Sequence, residues 1–386
     1  MKINEIAAAI RTTLSITASR RALGLRFSCR LVILLLAGFI MLAGSPAGAF
    51  TATDASDIWA DFNNTFYVGN NGNAYYVNIY GGSKLTMWQQ AETIEMACDR
   101  ETRSGSSGDK AIITALCNGF VADFGSDWTA STSFNDDVMW SCLAFARAYY
   151  RTGVQSFAGL AADNFNYVYN GGGHRSVPQY DGTLGGGMWW TTDHSSSGSK
   201  NACVNGPGAL AGYWLYQIYG SSTGFLGQSQ HMFDWEKSHL FNSSTGKVYD
   251  HENANGTLVT TAWTYNEGTF LGAAHFLGDD TSASAAALYV KNNMCTSGIL
   301  PQYNTSGGDS GGFNGIFVRW LGRYMDDTGT QGTYQTWLYN NADHAWAYCN
   351  ANGISWCDWL DQTPASGNYS WSCSDSVVIM QVLPPE

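Results

Sequence analysis

Two carboxylates stand side by side in Phe134-Asn135-Asp136-Asp137-Val138-Met139-Trp140, immediately ahead of an apolar run. Adjacent acids in such a place have two uses. At a helix start, Asn135 or Asp136 caps the first turn and the acids complement the positive end of the helix dipole. As chemistry, two carboxyls flanking one anomeric carbon cleave a glycosidic bond, roughly 5–5.5 Å apart when configuration is retained. Neighbouring positions at a helix start diverge by about a quarter turn, so their carboxyl groups can straddle a sugar. One acid must then keep its proton while the other stays ionised, and each raises the pKa of its neighbour by proximity alone. The motif by itself leaves both uses open. Asp279-Asp280 and Asp326-Asp327 are further pairs, but they follow helices at polar turns and read as solvated ends.

The rest of the chain favours a neutral, amphipathic ligand. Its 386 residues carry 19 Lys and Arg against 31 Asp and Glu, a formal net charge of −12, which provides no basic footprint for nucleic acid or an anionic membrane surface. Aromatic residues reach 14%, with 15 Trp and 21 Tyr, while only 13% of residues are charged. Trp189-Trp190 after a glycine triplet, Trp263, Tyr265 and Trp88 are the rings that could wall a sugar cleft. The seven histidines show no H-E-x-x-H spacing and no C-x-x-C pair occurs, so no metal site is expected. The glycine loops at 171–173, 185–187 and 306–312 fit neither a P-loop nor a dinucleotide fingerprint, and no cofactor is expected.

Four segments must position these groups: Val138 to Gly153, Leu210 to Gly220, Phe270 to Gly278 and Ile316 to Gly329. Each is an aromatic-rich stretch at helical spacing that ends on glycine. In the first, Val138, Cys142, Phe145 and Tyr149 form the stripe of a packed helix. The intervals between stops leave room for two helices each, so the unit is a helical hairpin, about six of them over the chain. Strand-like alternation is confined to short stretches such as Tyr75 to Tyr80. The expectation is one all-α domain with no internal linker.

The first 49 residues differ from the rest. Lys2, Arg11, Arg20, Arg21, Arg26 and Arg30 precede an apolar run from Leu31 to Ala43 and then Ala47-x-Ala49, the pattern of a secretory signal cleaved after Ala49. The apolar run is shorter than the roughly 20 residues of a membrane span. Cleavage leaves 50–386 as the mature domain, secreted, or periplasmic in a Gram-negative host. It removes six basic residues and one acidic one, taking the net charge to −17. Eight cysteines remain, and an even number in an exported chain points to disulfides, with Cys349 and Cys357 able to close a small loop and Cys142 placed as a buried thiol. Asn63, Asn242, Asn255, Asn304 and Asn368 begin glycosylation sequons.

In order along the chain, the Asp136-Asp137 pair is followed by Gly186-Gly187-Met188-Trp189-Trp190, Lys200-Asn201-Ala202-x-x-Asn205, Thr264-Tyr265-Asn266-Glu267-Gly268 and Phe313-Asn314-Gly315-Ile316-Phe317-Val318-Arg319. This series, running from about Trp59 to Trp371, resembles glycoside hydrolase family 76, the α-1,6-mannanases. The resemblance implies an (α/α)6 barrel, which matches the hairpin count. It also implies retaining endo-hydrolysis of α-1,6-linked mannan, with Asp136 as nucleophile and Asp137 as general acid/base. Asn135, Trp189, Trp190, Lys200, Asn201, Asn205, Trp263, Tyr265 and Asn266 are then the candidate contacts to a mannan or manno-oligosaccharide, bound by a monomer. The chain departs from the family where Glu267 stands for the usual Gln, Gly206 for a frequent Glu, and Asn314 for Lys. Two other readings keep the same barrel: transfer of mannan into cell wall, disfavoured by the absence of a hydrophobic tail after VVIMQVLPPE, and carbohydrate binding without catalysis.

Overall fold

The computed structural model describes residues 50–303 and 305–384; the expected signal at 1–49 and the sequon at Asn304 lie outside them. Twelve α-helices occur among the described residues. They are α1 Ala52–Phe66, α2 Met87–Ser104, α3 Ser107–Phe124, α4 Asn135–Thr152, α5 Gln155–Asn170, α6 Ala202–Tyr219, α7 Phe225–His239, α8 Thr264–Phe276, α9 Asp280–Tyr289, α10 Phe313–Thr328, α11 Gln331–Ala347 and α12 Ser370–Val382. The even-numbered helices pack neighbour to neighbour, and α12 packs back against α2 to close a ring. The odd-numbered helices lie outside, each against an inner helix beside it in sequence except α1, which packs on α12. This is the (α/α)6 barrel the resemblance implied.

Burial separates the two layers. In α12 every residue from Ser370 to Gln381 is buried, as expected of a helix enclosed on all sides. The outer α9 buries only Ser282, Ala283, Ala286 and Ala287, a single stripe. The stripe expected in α4 is real at Val138, Cys142 and Phe145, while Tyr149 is part-exposed. Gly153 ends that helix in the left-handed conformation (φ 74°, ψ 10°), its N–H donating to the Tyr149 carbonyl, a turn glycine makes without a Cβ clash. Gly329 ends α10 in the same conformation, and Gly220 ends α6 with an extended ψ of −176°. In α8 the helix stops at Phe276, two residues ahead of the expected Gly278.

The connections are unequal. Inner-to-outer links are short, at 105–106, 153–154, 220–224, 277–279 and 329–330, whereas outer-to-inner links are long, at 67–86, 125–134, 171–201, 240–263, 290–312 and 348–369. Because helices alternate in direction, every long link arrives at the mouth where inner helices begin. The strands lie in these links: β1 Tyr67–Asn70 with β2 Asn73–Tyr76, β4 Phe241–Asn242 with β5 Lys247–Val248, and a three-stranded sheet of β3 Ser199–Asn201, β6 His251–Asn253 and β7 Leu258–Val259. Of the stretch from Tyr75 to Tyr80, only its first two residues are strand.

One expectation is corrected. All eight cysteines from Cys98 to Cys373 are free thiols. Cys98, Cys142, Cys203 and Cys373 sit in four different inner helices, all buried, and Cys98, Cys142 and Cys373 serve there as small apolar side chains. No helix among the described residues is long and apolar enough to cross a membrane.

Ion pairs tie the ring internally. Arg319 of α10 holds Glu92 and Asp99 of α2 at 2.6 Å each, and Arg147 of α4 holds Asp99 at 2.6 Å and Glu95 beside it. All five side chains are buried or nearly so. Burial and the neighbouring Glu95 push the Glu92 carboxyl up to about 8 even beside Arg319. Removing one partner leaves the others as uncompensated buried charge. Arg319→Ala is therefore expected to cost about 3–5 kcal/mol of unfolding free energy, read from urea unfolding.

Candidate active site

Asp136 and Asp137 open α4 at the long-link mouth. Phe134 occupies the cap position and makes no side-chain capping bond, so the helix start is held from outside. Asn135 does this. Its backbone N–H donates to the Trp190 carbonyl (2.8 Å), its amide donates to Gln179 Oε1 and the Trp189 carbonyl (2.9 Å each), and its Oδ1 accepts from Arg175 Nε (2.8 Å). Arg175 also donates to the carbonyls of Thr129 and Thr132, 3.0 Å each, which pins the loop ahead of α4.

The two carboxylates are held differently. Asp136 receives three donors: the Asp137 backbone N–H on Oδ1 (3.1 Å), and Trp190 Nε1 (2.9 Å) and the Cys203 thiol (3.3 Å) on Oδ2. Asp137 receives one side-chain donor, Thr132 Oγ1, at 2.8 Å. Burial is the largest influence on both, lifting Asp136 to about 7 with help from the Asp137 charge, and Asp137 to about 6 with help from Asp309. Two such carboxyls titrate together, and near neutral pH the pair retains a proton. Three donors on Asp136 against one on Asp137 favour the ionised form of Asp136, while its deeper burial and the Asp137 charge act the other way and leave its pKa the higher of the two.

The expected aromatics converge on this mouth. Trp190, 36% exposed, reaches Asp136 and packs on Phe134 with ring centroids 5.1 Å apart. Tyr265 lies 4.0 Å from Phe313, and Trp263 packs on Phe313 and Tyr303. Trp88 is edge-on to Trp371 at 4.8 Å.

Other expected contacts are occupied by the protein itself. Trp189 is buried, donates to Asp181 Oδ2 (2.8 Å) and stacks on His194. Lys200, fully buried, donates to Asp181 Oδ1 (2.7 Å) and to the carbonyls of Thr183 and Gly186. Asn205 brackets the backbone of Met188, while Asn201 Oδ1 accepts from Ser199 Oγ. With Asn135, these side chains spend the hydrogen bonds named here within the protein and fix the 171–201 link. Asn266 is intermediate: its amide donates to Asp250 Oδ1 at 3.4 Å, and its Oδ1 is buried without a partner.

Several residues escaped the sequence reading. Thr132 and Arg175 lie in loops without a motif. Cys203 fills an unspecified position of the Lys200–Asn205 motif, and Asp309 stands in the glycine loop at 306–312. Gly206, one of the departures, is closed over: a Cβ there would come within 2.5 Å of Thr269 Oγ1 and 3.4 Å of Glu236 Oε2.

The sequence model of Glycosyl hydrolase family 76 matches residues 51–382. Among solved structures, the chain is similar to the GH76A α-1,6-mannanase from a Salegentibacter species, with TM-score 0.75 and 23% identity over 86% of this chain and 98% of that one. An inactive variant of that mannanase, with two consecutive aspartates replaced by asparagine and α-1,6-mannotriose bound, matches with TM-score 0.74 and 22% identity over the same shares. Dfg5 from Chaetomium thermophilum in complex with glucosamine matches at TM-score 0.66 and 18% identity, over 86% and 90% of the two chains. No curated protein matches.

A carboxyl whose pKa is raised in the folded state destabilises that state once it ionises. Asp137→Asn is thus expected to raise Tm at pH 8, with the gain over wild type shrinking toward pH 5, where the wild-type carboxyl is protonated; calorimetric scans at the two pH values check this.

Proposed function

Because the chain belongs to glycosyl hydrolase family 76, we propose that it is an endo-acting, retaining glycosidase cleaving α-1,6-mannosidic bonds of mannan. The observation that carries this reading is the unequal treatment of the two acids: three donors on Asp136, one on Asp137. In the first step Asp136 attacks C1 of a mannosyl unit, its ester forms as the glycosidic C1–O bond breaks, and Asp137 gives its proton to the departing oxygen. Asp136 Oδ1, with a single donor, keeps a lone pair for the bond to C1. In the second step Asp137, now ionised, takes a proton from water as that water's oxygen attacks C1, and Asp136 leaves as carboxylate.

Trp190, Trp263 and Tyr265 supply ring faces to the bound glycan, and Asn266 offers its unpartnered Oδ1. The two-aspartate variant of the Salegentibacter mannanase, inactive and crystallised with α-1,6-mannotriose, supports the mannan assignment. The reaction requires no metal or cofactor. We further propose that residues 1–49 direct export and that the mature monomer acts outside the cytoplasm; the mass of the protein recovered from the host's medium or periplasm tests the cut after Ala49.

Incubation with unbranched α-1,6-mannan is expected to release short manno-oligosaccharides from the wild type, with kcat lowered at least a thousandfold in Asp136→Asn and Asp137→Asn, on the order of other covalent catalytic groups. Near wild-type hydrolysis by Asp136→Asn would remove it as nucleophile. Products longer than the starting chains would assign transfer, and binding without products would assign a lectin-like role. The rate against pH is expected to be bell-shaped, falling above about pH 7 as the pair loses its last proton and falling in acid as both carboxyls become protonated.

A further inference from the structure

At the mouth where the inner helices end, a cavity of about 870 Å³ is lined by residues of all six, including Arg103 of α2, Tyr150 of α4, Trp214 of α6, Phe276 of α8 and Arg323 of α10, with Leu383 just past α12. It is separate from the acid pair. Asp137 and Tyr150 lie thirteen residues apart on α4, about 20 Å along the helix axis.

Most of the charge around this cavity is matched. Arg147 and Arg319 hold the acids of α2, Arg151 faces Glu101 at 3.1 Å, and Arg323 faces Asp327 at 2.6 Å. Cations near helix C-termini also answer the helix dipoles, which accounts for their presence. Arg103 is left over. Its Nη1 donates to the carbonyls of Met380 (2.7 Å) and Leu383 (2.6 Å), both neutral; its Nη2 is buried without an acceptor, and no carboxylate pairs with it among the described residues. The indole N–H groups of Trp214 and Trp320 are buried and unpartnered as well, Trp320 being 2% exposed. All three are donors.

Buried donors with no acceptor are costly, and three around one cavity call for a ligand rich in acceptor oxygens. The uncompensated guanidinium calls for negative charge on it. The walls between are rings: Tyr150 edge-on to Trp214 at 4.8 Å, and Tyr213 stacked on Phe276 at 4.7 Å. Rings beside polar donors suit a saccharide, whose surface alternates C–H faces and hydroxyls. We propose that this mouth is a second binding site, for an acidic saccharide bearing a phosphate or carboxylate. The acidic group meets Arg103, and the sugar oxygens accept from the indoles of Trp214 and Trp320. The site stands independently of the reaction assigned to the acid pair.

Calorimetric titration of the intact protein with glucose 6-phosphate, glucuronate, glucose and inorganic phosphate tests it. Saturable binding of at least one of the two acidic sugars is expected, unchanged in Asp136→Asn and weakened roughly three- to tenfold in Trp214→Phe, which keeps a ring and loses the donor. Should Trp214→Phe fail to fold, Arg323→Gln at the half-exposed rim is expected to weaken binding in the same direction. No saturable binding of either acidic sugar overturns the proposal. So does binding abolished by Asp136→Asn and untouched by the mutation at this mouth. Glucose or inorganic phosphate binding as tightly as the acidic sugars overturns the ligand class.

Discussion

Six helices arranged in a ring leave an axis that must be filled, and here part of the filling is charged. Arg147 and Arg319 reach inward from α4 and α10 to the three acids of α2. In a low-dielectric interior such groups are tolerated only when each is answered, so the cluster admits few relative positions of these helices. The register of the inner ring follows, and with it the level at which Asp136 and Asp137 emerge. A ring packed by apolar contacts alone could slide by a fraction of a turn with smaller penalty. The geometry of the acid pair therefore inherits its precision from charges buried farther along the inner helices.

Around that frame, the site is built by loops held from behind. Lys200, Asn205, Asn135 and Arg175 direct their hydrogen bonds into the 171–201 and 125–134 links. Those bonds present Trp190 to Asp136. The Cys203 thiol adds a weak donor where a hydroxyl would give a stronger one, so the Asp136 carboxylate is oriented without being fully neutralised.

The parts legible in the sequence were those with a local cause. Glycine stops and aromatic stripes revealed α4, α6, α8 and α10, because both signals arise from a helix's own turns. The helices α2 and α12 went unmarked for opposite reasons. α2 carries Glu92, Glu95 and Asp99 on faces that are buried through distant arginines, so its buried side does not read as apolar, and α12 (Ser370–Val382) is buried all round and shows no amphipathic stripe. The same logic governs the site. Adjacent acids and paired tryptophans can be seen in a line of text, whereas Arg175 and Thr132 become partners only through folding. Lys200 and Asn135 were visible by motif, but their task of bracing a loop was not. Export chemistry suggested disulfides, yet the ring uses its thiols as filler, since neighbouring inner helices need small side chains more than cross-links.

Ring closure joins the two ends of the domain. Arg103 and Arg100 on α2 bond to Met380, Leu383 and Gln381 across more than 270 residues of sequence, and Gln381 reaches Ala55 in α1. Contacts so distant in sequence form late, because the loop entropy must be met before they contribute. A chain emerging from the ribosome can assemble hairpins one after another, but its first hairpin lacks a wall until α12 has been made. The ring is thus a fold without a stable partial version: α12 must be made before either mouth exists.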